Sequence, residues 1–270
     1  MHRTVIVSAA FLFFLFPVYA LSTGLPQQLT LAATHWCPYS CSPDNHPLTS
    51  SAAAKPGIVS EYLSQQLSHN GIELQIRFLP WSRALAEANS GTVDGLLTAV
   101  PEESGELLLP DVPISTYQDC LFTHPDSQWH YQGLSSLSEV RLAYIQDYGY
   151  NEPVHSYILN PANREQLFEV SGADPGHRLV RLVMAGRADV LIEEKRVTQW
   201  AQQTVQLDLS DTPSFPPLRQ AGCLEAKPFY LAINPQHPSA DALIQLFNRL
   251  FSDTDHPAEF QKITEQYLKP

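Results

Sequence analysis

The sequence predicts an α/β chain folded as two similar lobes, each a mostly parallel sheet flanked by helices. Three observations carry that expectation. Helical apolar spacing alternates with short apolar or alternating runs, the pattern of β-α-β units that build parallel sheets. The length of 270 residues exceeds one ordinary domain and suits two small lobes with separate cores. One segment also occurs twice, 95 residues apart: Arg83-Ala-Leu-Ala-Glu-Ala-Asn-Ser-Gly91-Thr-Val-Asp94-Gly-Leu-Leu97 and Arg178-Leu-Val-Arg-Leu-Val-Met-Ala-Gly186-Arg-Ala-Asp189-Val-Leu-Ile192. Each copy reads as an amphipathic helix that stops at Gly and runs through x-x-Asp into an apolar strand. Small ligands usually bind in the cleft between two such lobes.

The elements follow in order. His2 and Arg3, an apolar run over residues 5–16, Pro17, and Val18 and Ala20 at the −3 and −1 positions read as a secretory signal cleaved after Ala20. The apolar run is shorter than the ~20 residues needed to span a bilayer, so no stable membrane insertion is expected. Residues 28–34 alternate like a strand, and residues 35–55 form a Ser-, Pro- and Ala-rich loop. Residues 56–67 have helical spacing and end at Asn70-Gly71, and residues 72–78 alternate strictly as a half-buried strand. The first repeat copy follows, over residues 80–100.

Residues 119–123 read as a strand, and residues 135–139 open a second series with a capping pattern. Residues 141–145 are the next strand, residues 153–159 and 164–169 are helical, and the second copy closes near Glu194. A Pro- and Ser-rich linker over residues 210–217 leads to one strand, residues 223–233, returning to the first lobe. The tail, residues 239–268, is helical, with Leu243, Leu246, Phe247, Leu250 and Phe251 on one packing face. The first lobe is thus expected over residues 21–119 and 223–270, and the second over residues 120–222.

Four cysteines in a secreted chain allow three pairings. Cys37 and Cys41 flank a loop that a local bridge can close, which leaves Cys120 with Cys223. A zinc site is disfavoured because structural zinc needs four clustered ligands and these spacings match no finger or ribbon; no metal or cofactor is expected. If Cys120 and Cys223 lie on the two chain crossings, their bridge ties the hinge and closes a loop of about a hundred residues, worth roughly 4 kcal/mol. The 16 basic residues against 28 acidic argue against nucleic acid or anionic lipid as partner.

The order of motifs resembles a known family. His35-Trp-Cys-Pro-Tyr39 after the first strand, Pro56-Gly-Ile, Leu79-Pro-Trp-Ser-Arg-Ala-Leu85, Gly91-x-x-Asp94, an inserted second lobe and a helical return together resemble family 3 periplasmic solute-binding proteins. These are type II, two-lobed proteins whose lobes are joined by two hinge strands. The likeness covers nearly the whole mature chain and looks closest to members carrying Pro-Trp-x-Arg-Ala. It implies a monomeric periplasmic receptor for a small ligand, partnered by an ABC permease or a membrane sensor.

The resemblance also implies a pocket. Its aromatic walls fall on Trp36 with Tyr39, and on Trp81. Its first-lobe polar groups fall on Thr98, with Pro101 and Glu102 just beyond; its second-lobe turn falls on Asp147-Tyr148-Gly149, and its ammonium-receiving acid on Glu194. One departure stands out. Amino-acid binders of the family carry an Arg after the first-lobe strand to grip the ligand carboxylate, whereas residues 98–106 here hold three glutamates and no Arg. An ordinary α-amino acid is therefore a poor candidate, because a buried carboxylate without a partner is costly. Arg83 could substitute from the first turn of its helix, or could equally serve as a surface or Asp94-paired residue. Aromatic faces suit flat, sugar-like or cationic ligands, and Glu102, Glu103 and Glu194 nearby favour positive charge.

No nucleophile, metal-protease or phosphate-loop motif appears, and the histidines are scattered singly. Cyclohexadienyl dehydratases resemble such binding proteins, and Glu194 or Glu102 could act as a general acid in that alternative. A receptor without catalysis is the expected reading.

Overall fold

The computed structural model describes residues 24–43, 55–146, 148–172, 175–208 and 216–268. The signal segment, part of the first long loop, Asp147 and most of the predicted linker lie outside the described residues.

The first lobe opens with β1 (Gln28–Ala33), α1 (Ile58–His69), β2 (Glu73–Phe78), α2 (Trp81–Asn89), β3 (Gly95–Ala99) and β4 (Ser115–Tyr117). The chain then builds the second lobe from β5 (Asp119–Thr123), α3 (Leu134–Leu137), β6 (Leu142–Ile145), α4 (Val154–Leu159), β7 (Leu167–Val170), α5 (Pro175–Met184), β8 (Val190–Glu194), α6 (Lys195–Asp208) and β9 (Arg219–Cys223). It returns through β10 (Lys227–Ile233), and α7 (Ala240–Ser252) and α8 (His256–Leu268) finish the first lobe. The sheet orders are β2-β1-β3-β10-β4 and β7-β6-β8-β5-β9. In each, three parallel strands are extended by two more strands joined through successive antiparallel pairings. This is the two-lobed architecture the alternation predicts.

Each sheet buries a core on both faces, as expected of parallel strands with helices on either side. The α7 stripe packs inward, with Leu243, Leu246, Phe247 and Phe251 buried. Helix α6 joins the lobes: Val197 and Trp200 enter the first-lobe core, while Ala201 belongs to the second.

The repeated Gly-x-x-Asp segment has one structural job in both copies. Gly91 and Gly186 adopt positive φ, 74° and 64°. There the chain leaves the helix with Thr92 N–H donating to Glu87 and Arg187 N–H to Leu182, both at 2.9 Å, the Schellman arrangement. The Asp then clamps the start of the adjacent parallel strand. Asp94 Oδ2 accepts Thr30 N–H at 2.7 Å, and Asp189 Oδ2 accepts Arg141 N–H at 2.7 Å. These contacts lie at the end of β3 and β8 remote from the cleft.

Several elements differ from the sequence reading. The helix expected over residues 164–169 is a 3-10 turn (Pro161–Gln166) followed by the edge strand β7. Pairing of Leu142–Ile145 with Leu167–Val170 overrides the local helical spacing, because burial on a sheet outweighs propensity. The single returning strand is two strands, β9 in the second sheet and β10 in the first, and helix α6 was not anticipated. Both expected disulfides are present. Cys120–Cys223 is a cross-strand bridge inside the second sheet, between paired residues of β5 and β9, rather than on the crossings themselves. No helix among the described residues is long and apolar enough to cross a membrane.

Asp94→Ala and Asp189→Ala each strand a backbone donor and should cost about 1–3 kcal/mol, a fall in Tm of roughly 2–8 °C. Ligand affinity should be unchanged in both, so chemical denaturation and calorimetry together separate this clamp from any role in binding.

Candidate functional site

The strands' C-terminal ends in the two sheets face one another, and a cavity of about 110 Å³ lies between them. The first lobe supplies Thr34 and Trp36 after β1, Trp81 at the start of α2, Thr98 to Val100 at the end of β3, Glu103, Tyr117 of β4 and Phe229 of β10. The second supplies Asp119 at the start of β5, Tyr148 to Tyr150 after β6, and Glu193 and Glu194 at the end of β8. Among the described residues, no Lys, Arg or His side chain lines the cavity.

The aromatic wall is supported from behind. Trp36 stacks on the fully buried Tyr39 with centroids 4.4 Å apart, and meets Tyr117 and Phe229 edge-on. Such a cluster fixes Trp36 at little further entropic cost. The Tyr39 hydroxyl accepts from Arg196 Nη1 at 2.9 Å and faces the Glu194 carboxylate. Because Arg196 belongs to α6, this contact also joins the lobes. A second joint is Glu103, whose carboxylate lies beside the Trp81 indole and closes on Gly149 so tightly that a Cβ there would collide with it.

Four carboxyl groups converge on the cavity. Glu194 is capped: its Oε2 accepts the N–H groups of Arg196 at 2.6 Å and Val197 at 2.9 Å, the N-terminus of α6. Asp119 accepts Asn151 N–H at 3.0 Å, and Asn151 Oδ1 in turn accepts the Tyr117 hydroxyl at 2.9 Å. Burial raises the Asp119 pKa to about 6, and raises those of Glu103 and Glu194. Glu193 is the most perturbed. It is 3% exposed, and burial, helped by the Asp119 and Glu194 charges, raises its pKa to about 8. Its Oε1 accepts Glu194 N–H at 2.8 Å. Its Oε2 has no hydrogen-bond partner among the described residues, although the Trp36 indole approaches closely enough to favour the charged form.

Of the residues expected from sequence, Trp36, Trp81, Thr98, Tyr148 and Glu194 come together around the cavity. Three are placed elsewhere. Tyr39 forms the layer behind Trp36. Arg83, with a 63% exposed side chain, bonds Glu87 at 2.9 Å, as does Arg77; two positions after Trp81 on a helix, it points away, and Glu87 at i+4 holds it. Glu102, 64% exposed, stands on the rim 3.4 Å from Lys227, and its neighbour Glu103 turns inward instead. The sequence reading missed Asp119, whose only signal was a carboxylate at the start of an apolar strand; it aimed the acid pair Glu193-Glu194 at the cleft but gave a ligand role to Glu194 alone. Among the described residues, no group of three His, Cys, Asp or Glu side chains is placed to hold a metal ion.

No protein-family model matches the chain, and no curated protein matches it by sequence. Solved structures do match by shape. A histidine kinase sensor domain with similarity to periplasmic binding proteins superposes with a TM-score of 0.65 at 16% identity, over 90% of this chain and 96% of that one. An ancestral amino acid-binding protein, a precursor of cyclohexadienyl dehydratase, gives 0.64 at 15%, over 90% and 96%. An amino acid ABC transporter substrate-binding protein from Streptococcus pneumoniae, bound to L-arginine, gives 0.62 at 15%, over 90% and 95%. At these identities the likeness shows the fold: this chain has the two-lobed periplasmic binding protein architecture.

The raised Glu193 pKa has a sign. A carboxyl whose folded pKa lies above its usual value stabilises the fold while protonated; that contribution is full below about pH 4.5 and is lost as pH rises through 8. Tm is therefore expected to fall by about 5 °C or more between roughly pH 5 and pH 8. Asp119, raised to about 6, adds to the fall at the lower end of that range, so Glu193→Gln, which cannot titrate, should reduce the slope most between roughly pH 6.5 and pH 8 in parallel thermal scans.

Proposed function

We propose that this chain is a secreted, monomeric solute-binding receptor that closes its two lobes over a small polar ligand in the periplasm. The observation that carries the reading is the cavity itself. It is walled by both lobes, with aromatic faces and a few buried polar groups converging on it, the usual make-up of a small-molecule site. Joints such as Glu103 against Gly149 and Arg196 against Tyr39 connect opposite lobes, so ligand contacts that form only on closure would bias a hinge motion. The signal segment and the two disulfides fit an oxidising compartment.

Delivery to an ABC permease is the first reading of what the closed receptor does, in keeping with the substrate-binding protein among the matching structures. Presentation to a membrane sensor is the second, favoured by the likeness to a histidine kinase sensor domain. Catalysis is the weakest reading. Of the two acids a dehydratase-like mechanism could use, Glu194 is already committed to capping α6 and Glu102 is exposed and paired with Lys227.

Small-angle scattering should show compaction when a ligand found by thermal-shift screening is added; unchanged dimensions at saturation would sink the closure model. With the same ligand, Trp81→Ala should weaken calorimetric affinity tenfold or more, about 1.4 kcal/mol for a lost stacking face.

A further inference from the structure

A receptor cleft normally meets a charged ligand with opposite charge. In this one, Glu103, Asp119, Glu193 and Glu194 face the cavity and no cationic side chain among the described residues does. Of the basic groups that act on these carboxyls, Arg196 donates to Tyr39 and to the Thr116 carbonyl, Lys227 pairs with Glu102, and His155, close enough to act on Glu103, does not line the cavity. A ligand carboxylate placed here would be buried among four carboxyl groups with hydroxyl and indole donors but no cationic partner, a cost that removing the carboxylate avoids.

One carboxylate is left incompletely satisfied. Glu194 is satisfied by α6 and Asp119 by Asn151, whereas Glu193 lines the cavity with a buried Oε2 that has no hydrogen-bond partner among the described residues and only the Trp36 indole nearby. Trp36, Trp81 and Tyr148 line the same cavity, aromatic rings of the kind on which organic cations sit. Resting on the receptor reading above, we infer that the cleft takes a compact organic cation without a carboxylate, and that Glu193 is its counter-ion.

The inference has a proton consequence. Glu193 is faced by Asp119 on β5, Glu194 on β8, Tyr148 and Tyr150 after β6 and the Trp36 indole after β1, with His35 and His177 across the smaller cavity on its other side. With its pKa near 8, the group is largely protonated at neutral pH. A cation bound beside it favours the charged form, so binding should release a proton to the buffer.

The test uses matched pairs that differ only by the carboxylate: cadaverine with L-lysine, agmatine with L-arginine, and histamine with L-histidine. In calorimetry near neutral pH, at least one amine is expected to bind tenfold or more tighter than its amino acid. Its observed enthalpy should vary with the ionisation enthalpy of the buffer, in the direction of proton release. Glu193→Gln should weaken that amine at least tenfold and abolish the buffer dependence; the first two readouts need no variant. Amino acids binding as tightly as the amines, or amine binding without proton release, would overturn the inference and leave the receptor reading intact. So would binding and compaction by a sugar or peptide alone. If none of the six compounds, nor a sugar or peptide, binds or compacts the chain, both fall.

Discussion

Because the chain passes between the lobes twice, at Tyr117–Asp119 and between Cys223 and Lys227, and these passages are bonded side by side, both sheets must turn the same ends toward one space. Leu224 N–H donates to the Asp119 carbonyl at 2.9 Å, and the Gln118 side chain donates to the Leu224 carbonyl at 3.0 Å. The disulfide between paired Cys120 and Cys223 fastens the strands just beyond. With the crossings held, the ends of β1 and β3 look across at the ends of β6 and β8. Every cavity residue owes its position to that arrangement, including Asp119, which is the first residue of β5 and stands at the crossing itself.

Burying Asp119, Glu193 and Glu194, with Glu103 half-buried beside them, costs free energy in so small a space, and the structure offsets it unevenly. Glu194 is stabilised by the amides and dipole of α6, and Asp119 by a network through Asn151 to Tyr117. Glu103 has the Trp81 indole, while Glu193 is left with one satisfied oxygen and a strongly raised pKa. Perturbed groups left incompletely satisfied tend to mark functional sites rather than structural ones. The satisfied members support the cleft, and the unsatisfied one gives it chemical character.

Much of the fold is legible in the sequence because it depends on periodicity and punctuation. Strict alternation marks β2, the paired Gly-x-x-Asp segments mark the turns into β3 and β8, and the stripe in α7 marks its buried face. Those signals are local, and local physics produces them. The failures share the opposite property. Strand β7 has helical spacing and becomes a strand through pairing with β6, and the division of the return, residues 219–233, into β9 and β10 depends on which sheet each part joins. Arg83 and Glu102 are plausible from spacing alone, but the ion pairs with Glu87 and Lys227 that draw them outward are not encoded by spacing.

By itself the sequence determined the alternation that builds two lobes, the short Cys37-Cys41 loop that a local bridge can close, the polar and aromatic residues at strand ends, and that no arginine follows β3 to receive a carboxylate. Only the tertiary structure decided which acids are satisfied. Glu193 and Glu194 are neighbours of one residue type, indistinguishable along the chain. One meets the first turn of α6 and the other does not, and that difference in solvation and hydrogen bonding is a property of how the elements meet in space.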